Sequence, residues 1–261
     1  MIYRYEEQFL PCPEKSLWNF VFIHGFGGSY NDNFSASRLS RHFNYYAINL
    51  PGHGSEDKPV FDSCIEEYAD YVAGYILQKK LTNVLLAGHS LGGGLASVVE
   101  NKVRANISAL FLINPLSASI IEVPNLKNIL FPQTLEAMFE LCRYAYYNFD
   151  AMRQTEGFEA SCKEALEIQL KKESYLNGLY DEMCGRKTIK LIEDSEAGIS
   201  VPTLYMYGRH DRIVPPFEPL ARLKGHKHIR FFEFAGSGHC PHNEEPELFT
   251  QTILAFVNDS L

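Results

Sequence analysis

At 261 residues, with 46% hydrophobic and 21% charged side chains, the chain has the make-up of a globular protein able to bury one large core. A formal net charge of −8, with Lys and Arg scattered apart from a turn at residues 224–230, argues against a nucleic-acid partner, which needs clustered cations. Six cysteines with no Cys-x-x-Cys pair and no matching His spacing speak against a zinc site or a disulfide framework and for reduced thiols.

Residues 1–12 carry Arg4, Glu6 and Glu7 where a signal peptide needs an apolar stretch. No apolar run approaches the roughly 18 residues of a membrane span. A cytoplasmic protein without integral membrane association is the expectation. Residues 2–9 alternate and predict an edge strand. WNFVFI (18–23) is a nearly continuous apolar run, the pattern of a strand covered on both faces. It stops at the glycine-rich stretch His24-Gly25-Phe26-Gly27-Gly28. YYAINL (45–50) is a second such run, closed by Pro51-Gly52. Between 64 and 80, Ile65, Tyr68, Ala69, Val72, Tyr75 and Ile76 recur at helical spacing.

NVLLA (83–87) predicts the next strand. It leads through Gly88-His89-Ser90-Leu91-Gly92-Gly93-Gly94 into a helix ending near Arg104. ISALFLI (107–113) is a further buried strand. From 116 to 200 strand runs give way to helical patterns, clearest over 133–147 and 158–172. Strand rhythm returns at TLYMY (203–207) and IRFFEF (229–234), with helices expected over 216–223 and 244–258. Alternating strands and helices predict an α/β protein with a mostly parallel sheet. The sheet needs strands on both sides of the helical stretch. We therefore expect one core, 1–116 with 201–261, interrupted by an insertion at 117–200.

Gly88-His89-Ser90-Leu91-Gly92 fits G-x-S-x-G between a strand and a helix. A serine exposed on so sharp a turn requires small neighbours two residues away on each side, and the helix N-terminus beneath it favours an anion. A serine hydroxyl attacks only with a base beside it and a group that orients the base. His239, in the loop after the last strand, is the candidate base. His242 is its nearest rival, with helix capping as its plainer role. Asp211 follows TLYMY and is the candidate acid, in the chain order Ser, Asp, His. Asn114, after ISALFLI, occupies the other place an acid could stand and lacks the charge. The N–H groups of Leu91 and Phe26, with Gly27 second to Phe26, are the expected oxyanion donors.

These pieces together resemble the α/β-hydrolase superfamily: His24-Gly25-Phe26-Gly27, Pro51-Gly52-His53-Gly54-Ser55, the Ser90 elbow, Gly208-Arg209-His210-Asp211 and Gly238-His239-Cys240-Pro241. The likeness spans nearly the whole chain. It implies a sheet of about seven strands flanked by helices, with residues 117–200 as a helical cap. Serine at the elbow departs from haloalkane dehalogenases and epoxide hydrolases, which use Asp. The Gly-Gly-Ser-Trp-Gly elbow of prolyl aminopeptidases is absent, and the short N-terminus implies a trimmed first hairpin. The elbow and the Pro-Gly-His-Gly-Ser segment look like small cap-bearing esterases and lipase-like enzymes.

The expected function is carboxylic ester hydrolysis of small or medium acyl groups through an acyl-enzyme, without metal or organic cofactor. His24, Gly25 and Gly27 of the loop, and Phe139 and Tyr146 of the cap, are expected against the substrate. Phe131, Met138, Tyr147 and Phe149 would enlarge an apolar acyl pocket. The same triad could instead serve a thioesterase, a C–C hydrolase or a lyase of the menaquinone-pathway type. A non-catalytic binding module on this scaffold would be expected to show a broken triad. The small-molecule ester is the only partner expected, and oligomeric state is not legible in the sequence.

Overall fold

Strands form where apolar residues run unbroken, and their order brings the predicted site residues to one edge. The computed structural model describes residues 3–33, 36–54 and 64–261. Its strands are β1 (Glu7–Leu10), β2 (Asn19–Ile23), β3 (Asn44–Ile48), β4 (Val84–His89), β5 (Ile107–Ile113), β6 (Thr203–Gly208) and β7 (Ile229–Phe234). They form one seven-stranded sheet in the order β1-β3-β2-β4-β5-β6-β7. Only β1 runs antiparallel, against β3; every other pairing is parallel. The α/β class and the strand number agree with the sequence reading. β1 begins later than expected. Tyr5, inside the predicted strand, packs its ring on Tyr71 and Tyr75 of the first helix, and the predicted start at Ile2 lies outside the described residues.

Successive side chains of a strand point to opposite faces, so each apolar run feeds two cores. Phe20, Phe22, Leu85, Ala87, Phe111, Ile113, Leu204 and Met206 pack with Phe249, Ile253 and Phe256 of the C-terminal helix. Val21, Ile23, Leu86, Leu110, Leu112 and Tyr205 face the other way. That second face is covered by α1 (Ile65–Gln78) and α2 (Leu91–Val103). The helical spacing read over 64–80 is the buried stripe of α1, with Ile65, Tyr68, Ala69, Val72, Tyr75 and Ile76 all buried.

Between β5 and β6 come α3 (Leu126–Leu130), α4 (Leu135–Ala145), α5 (Phe149–Arg153), α6 (Phe158–Met183) and α7 (Arg186–Ala197). Met138, Phe139, Phe149 and Cys162 form a small core of their own inside this stretch. The last helix behaves differently: α7 lays Ile189 and Ile192 into the main core beside α2. The chain closes with α8 (Phe217–Arg222), α9 (Pro241–Glu244) and α10 (Pro246–Ser260).

Register decides where the loops meet. Ile23 pairs with Gly88, His89 with Ile113, and Gly208 with Phe234. The loops after β2, β4, β6 and β7 therefore leave from one carboxyl edge, where open parallel sheets carry their sites.

Candidate active site

Ser90 has φ 54° and ψ −118° as it links β4 to α2, an unfavourable backbone for any residue with a Cβ. The surroundings hold it there. Its N–H donates to the Ile113 carbonyl at 2.9 Å. Its own carbonyl accepts from Gly93 (2.9 Å), Gly94 (3.1 Å) and Leu116 (2.8 Å). A Cβ on Gly88 would overlap the Gly92 carbonyl, and one on Gly92 would overlap the carbonyls of Ile23 and His24. The two outer glycines of G-x-S-x-G are thus a steric requirement of β2, β4 and α2 meeting at one point.

The loops after β6 and β7 bring Asp211 and His239 together. His239 Nδ1 lies 2.7 Å from Asp211 Oδ2, and both side chains are buried. The other carboxylate oxygen, Oδ1, accepts the N–H groups of Ile213 at 2.8 Å and Val214 at 3.0 Å. A carboxylate only accepts, so the Nδ1 of His239 carries the proton, and in the neutral ring Nε2 keeps its lone pair. His239 and Ser90 line one cavity of 260 Å³. Among the described residues no hydrogen bond joins the Ser90 hydroxyl to His239. Such contacts tighten when substrate binds.

The rival His242 lines the same cavity but sits among rings, 5.8 Å from Phe22, 5.9 Å from Phe249 and 4.7 Å from His89. Burial, then the nearby His239, hold its pKa down at about 3, and its Nδ1 has no partner among the described residues. Among the described residues no carboxylate orients it.

Phe26, Gly25 and Gly27 line the cavity, and Leu91 stands at the first position of α2. Among the described residues no protein acceptor takes the Phe26 N–H. His24 also reaches the cavity wall, but both its nitrogens are engaged: Nδ1 with the Gly25 carbonyl at 2.8 Å, Nε2 with the Leu50 N–H at 2.9 Å.

The inserted helices contribute Leu130, Leu141, Cys142, Ala145, Tyr146 and Met183 to the lining. Tyr146, expected against the substrate, is in the cavity wall. Phe139 is not: it is buried in the insertion's own core and stacks on Phe158, because the apolar stripe of α4 turns toward α5 and α6. Met138 and Phe149 share that core, Phe131 packs against Phe26, and Tyr147 stacks on His210 with centroids 3.8 Å apart. No Lys, Arg, Asp or Glu is among the described lining residues.

Three positioning groups escaped the sequence reading. Asn114 donates to the carbonyls of Gly238 (3.1 Å) and His239 (2.7 Å), while its oxygen accepts from the Gly208 N–H at 3.0 Å. One amide thus ties the strand ends that carry Asp211 and His239. His89 Nε2 also meets the His239 carbonyl, at 2.8 Å. Glu244 accepts from the N–H groups of Tyr147, Gly238 and Cys240. Asn114 had a signal in its place at the end of β5; Glu244 had none.

Among the described residues no group of three or more His, Cys, Asp or Glu is arranged to hold a metal, and no helix is long and apolar enough to cross a membrane. All six cysteines are unbridged.

A family model described as the alpha/beta hydrolase family matches residues 20–252. A Mycoplasma genitalium protein named "Putative esterase/lipase 2" is 32% identical over 260 residues, covering 95% of this chain and 91% of its own length. Its namesake from Mycoplasma pneumoniae is 29% identical over 256 residues, with the same coverage. Among solved structures, a meta-cleavage product hydrolase from Pseudomonas fluorescens IP01 superposes with a TM-score of 0.84 at 19% identity, covering 98% of this chain and 95% of that one.

Proposed function

The chain belongs to the alpha/beta hydrolase family, and from that premise we propose that it is a serine esterase acting on carboxylic esters of small or medium neutral acyl groups. The observation that carries this reading is the buried 2.7 Å contact between His239 Nδ1 and Asp211 Oδ2, which leaves Nε2 as a base in the cavity that Ser90 lines. Ser90 Oγ attacks the ester carbonyl as His239 Nε2 takes its proton. The Phe26 and Leu91 N–H groups meet the oxyanion, and His239 returns the proton to the leaving alcohol. A water deprotonated by His239 then attacks the acyl-enzyme, and the acid departs. Asp211 faces the imidazolium as it forms and stabilises it.

Residues 117–200 act in this reading as a cap whose inner wall, from Leu130 to Met183, shapes the acyl pocket. At 260 Å³ the cavity falls just below the roughly 300–1,000 Å³ of drug-sized sites, which favours short chains. Its wall offers apolar side chains, and burial holds its His24, His89 and His242 neutral. A carboxylate next to the scissile bond would find no cation among the described lining residues, which favours neutral esters over anionic C–C hydrolase substrates.

The test is labelling by a fluorophosphonate, with the modified peptide identified by mass spectrometry. Wild type should be labelled on Ser90 and should hydrolyse p-nitrophenyl butyrate. Ser90→Ala should lose both while keeping its thermal unfolding transition. Full labelling of Ser90→Ala would move the nucleophile elsewhere.

A further inference from the structure

Two imidazoles that take no part in this chemistry join the loop after β2 to the turn after β3. His24 Nε2 accepts the Leu50 N–H at 2.9 Å, and its Nδ1 donates to the Gly25 carbonyl. His53 reaches back from the turn: its Nε2 accepts the Gly27 N–H at 3.1 Å, and its Nδ1 donates to the Pro51 carbonyl at 3.0 Å. The partners fix the proton positions. A backbone N–H only donates and a carbonyl only accepts, so each ring is neutral with its proton on Nδ1. The rings stand 5.0 Å apart, and both are buried.

We propose that His53 is a positioning residue for oxyanion stabilisation, its Nε2 lone pair anchoring Gly27 so that the preceding Phe26 N–H stays available to the developing negative charge. The proposal rests on the ester-hydrolysis reading above. A ring that merely filled space would not need both nitrogens bonded to the main chain of two separate segments. Nor would its acceptor bond land on the residue beside the expected oxyanion donor. Gly27 also holds a φ of 69°, a left-handed turn that glycine adopts without strain, so its N–H can face the ring at little cost.

The groups facing His53 suit a neutral ring. The Tyr68 and Tyr175 hydroxyls both reach the Pro51 carbonyl, at 2.9 and 3.3 Å, and Lys172 binds the Gly54 carbonyl one residue on. With His24 opposite and a lysine nearby, no carboxylate of the described residues is among the groups that act on the ring. Burial first, then Lys172, outweigh the backbone hydrogen bonds and bring the pKa of His53 down to about 4. The lone pair that Gly27 needs is therefore present throughout the neutral range.

The experiment compares wild type, His53→Leu and His53→Gln, with Ser90→Ala as the control for the reading beneath. Leu fills the space without an acceptor, whereas the Gln side-chain oxygen reaches close to where Nε2 stood. Leu should lower kcat on p-nitrophenyl butyrate by about ten- to a hundredfold, somewhat less than outright loss of an oxyanion donor. KM should stay within about twofold, because the contact matters only when charge develops. The inhibition constant of a trifluoromethyl ketone, whose hemiketal carries the oxyanion, should rise by the same factor. Gln should recover most of both losses. Equal losses in Leu and Gln, or a fall in kcat with unchanged ketone affinity, would overturn the proposal.

Imidazole nitrogen NMR of the intact wild-type protein tests the tether without any turnover. It should report His53 as the neutral Nδ1–H tautomer at neutral pH, with the Gly27 amide protected from exchange in wild type and exposed in His53→Leu. The other tautomer, or an unprotected Gly27 amide in wild type, also overturns it. A wild type that is inactive on esters, or a fully active Ser90→Ala, would instead sink the esterase reading, while the tautomer and the amide protection would still decide whether the tether exists.

Discussion

Asp211 divides its two oxygens between tasks. Oδ2 holds the Nδ1–H of His239, and Oδ1 caps the next turn through the N–H groups of Ile213 and Val214. Asp211→Asn keeps the shape but lets an amide NH₂ face Nδ1, which turns the imidazole to the wrong tautomer and removes the countercharge. In steady-state ester hydrolysis kcat should drop about 10⁴-fold with little change in unfolding temperature. Near-normal turnover would place the orienting acid elsewhere. The proposed triad of Ser90, Asp211 and His239 can be picked out in the sequence because each belongs to a short pattern after an apolar run, and the order of those runs fixes the edge they reach. Asn114 and His89 bind main-chain groups distant in sequence, as Glu244 does at Tyr147, and no local pattern records such a partner. Phe139 departs from its expected place for a related reason. Helical spacing tells that a side chain is buried but not whether it faces the cavity or the insertion's own core.

Elements are easier to read than their ends. The central strands β2, β4 and β5 are buried almost throughout, so their apolar runs are unbroken. α6 runs on to Met183, past the 158–172 pattern, as a helix with few buried residues; a mostly exposed helix leaves a faint apolar stripe. The predicted final helix over 244–258 is α10, and a separate short helix, α9, stands just before it. Proline at the first position starts each, and Glu245, at φ −128°, interrupts the helix between them. α7 shows that position in the chain does not fix the layer. It follows α6 directly, yet Ile192 is 1% exposed and its Cδ1 faces Gly94 of α2. Ile192→Ala should destabilise the whole protein by about 2–5 kcal/mol in urea unfolding, the cost of a cavity in a tight core. If only local exchange in 117–185 rose, with the midpoint unchanged, α7 would belong with the cap instead.

For the molecule as a whole, buried histidines dominate the response to acid. Burial lowers the pKa of His24 to about 3, His53 to about 4 and His242 to about 3, and that of His89 well below 6.5. The unfolded chain therefore binds more protons than the folded one between about pH 4 and the ordinary histidine value of 6.5, and stability rises with pH across that window. Glu196 acts oppositely. Burial outweighs its ion pair with Arg222 and lifts its pKa to about 7, so its contribution fades as pH climbs from 4.5 to 7. Four lowered histidines against this one strongly raised carboxyl decide the net sign: urea midpoints should fall steadily from near pH 6.5 down to pH 4. His242→Phe should flatten that slope by about one proton. A flat or inverted profile would mean that these rings are not buried neutral. The inserted helices, finally, touch both halves of the proposed machinery. The Ala145 carbonyl holds the N–H of His239 at 2.6 Å, Tyr147 shares Glu244 with Gly238, and Lys172 and Tyr175 grip the turn that carries His53. Grafting a foreign roof onto this scaffold to change its selectivity would strip away those struts. A transplant that preserves turnover has to retain the stretches around 145–147 and 172–175, and redesign of selectivity is confined to the wall between them.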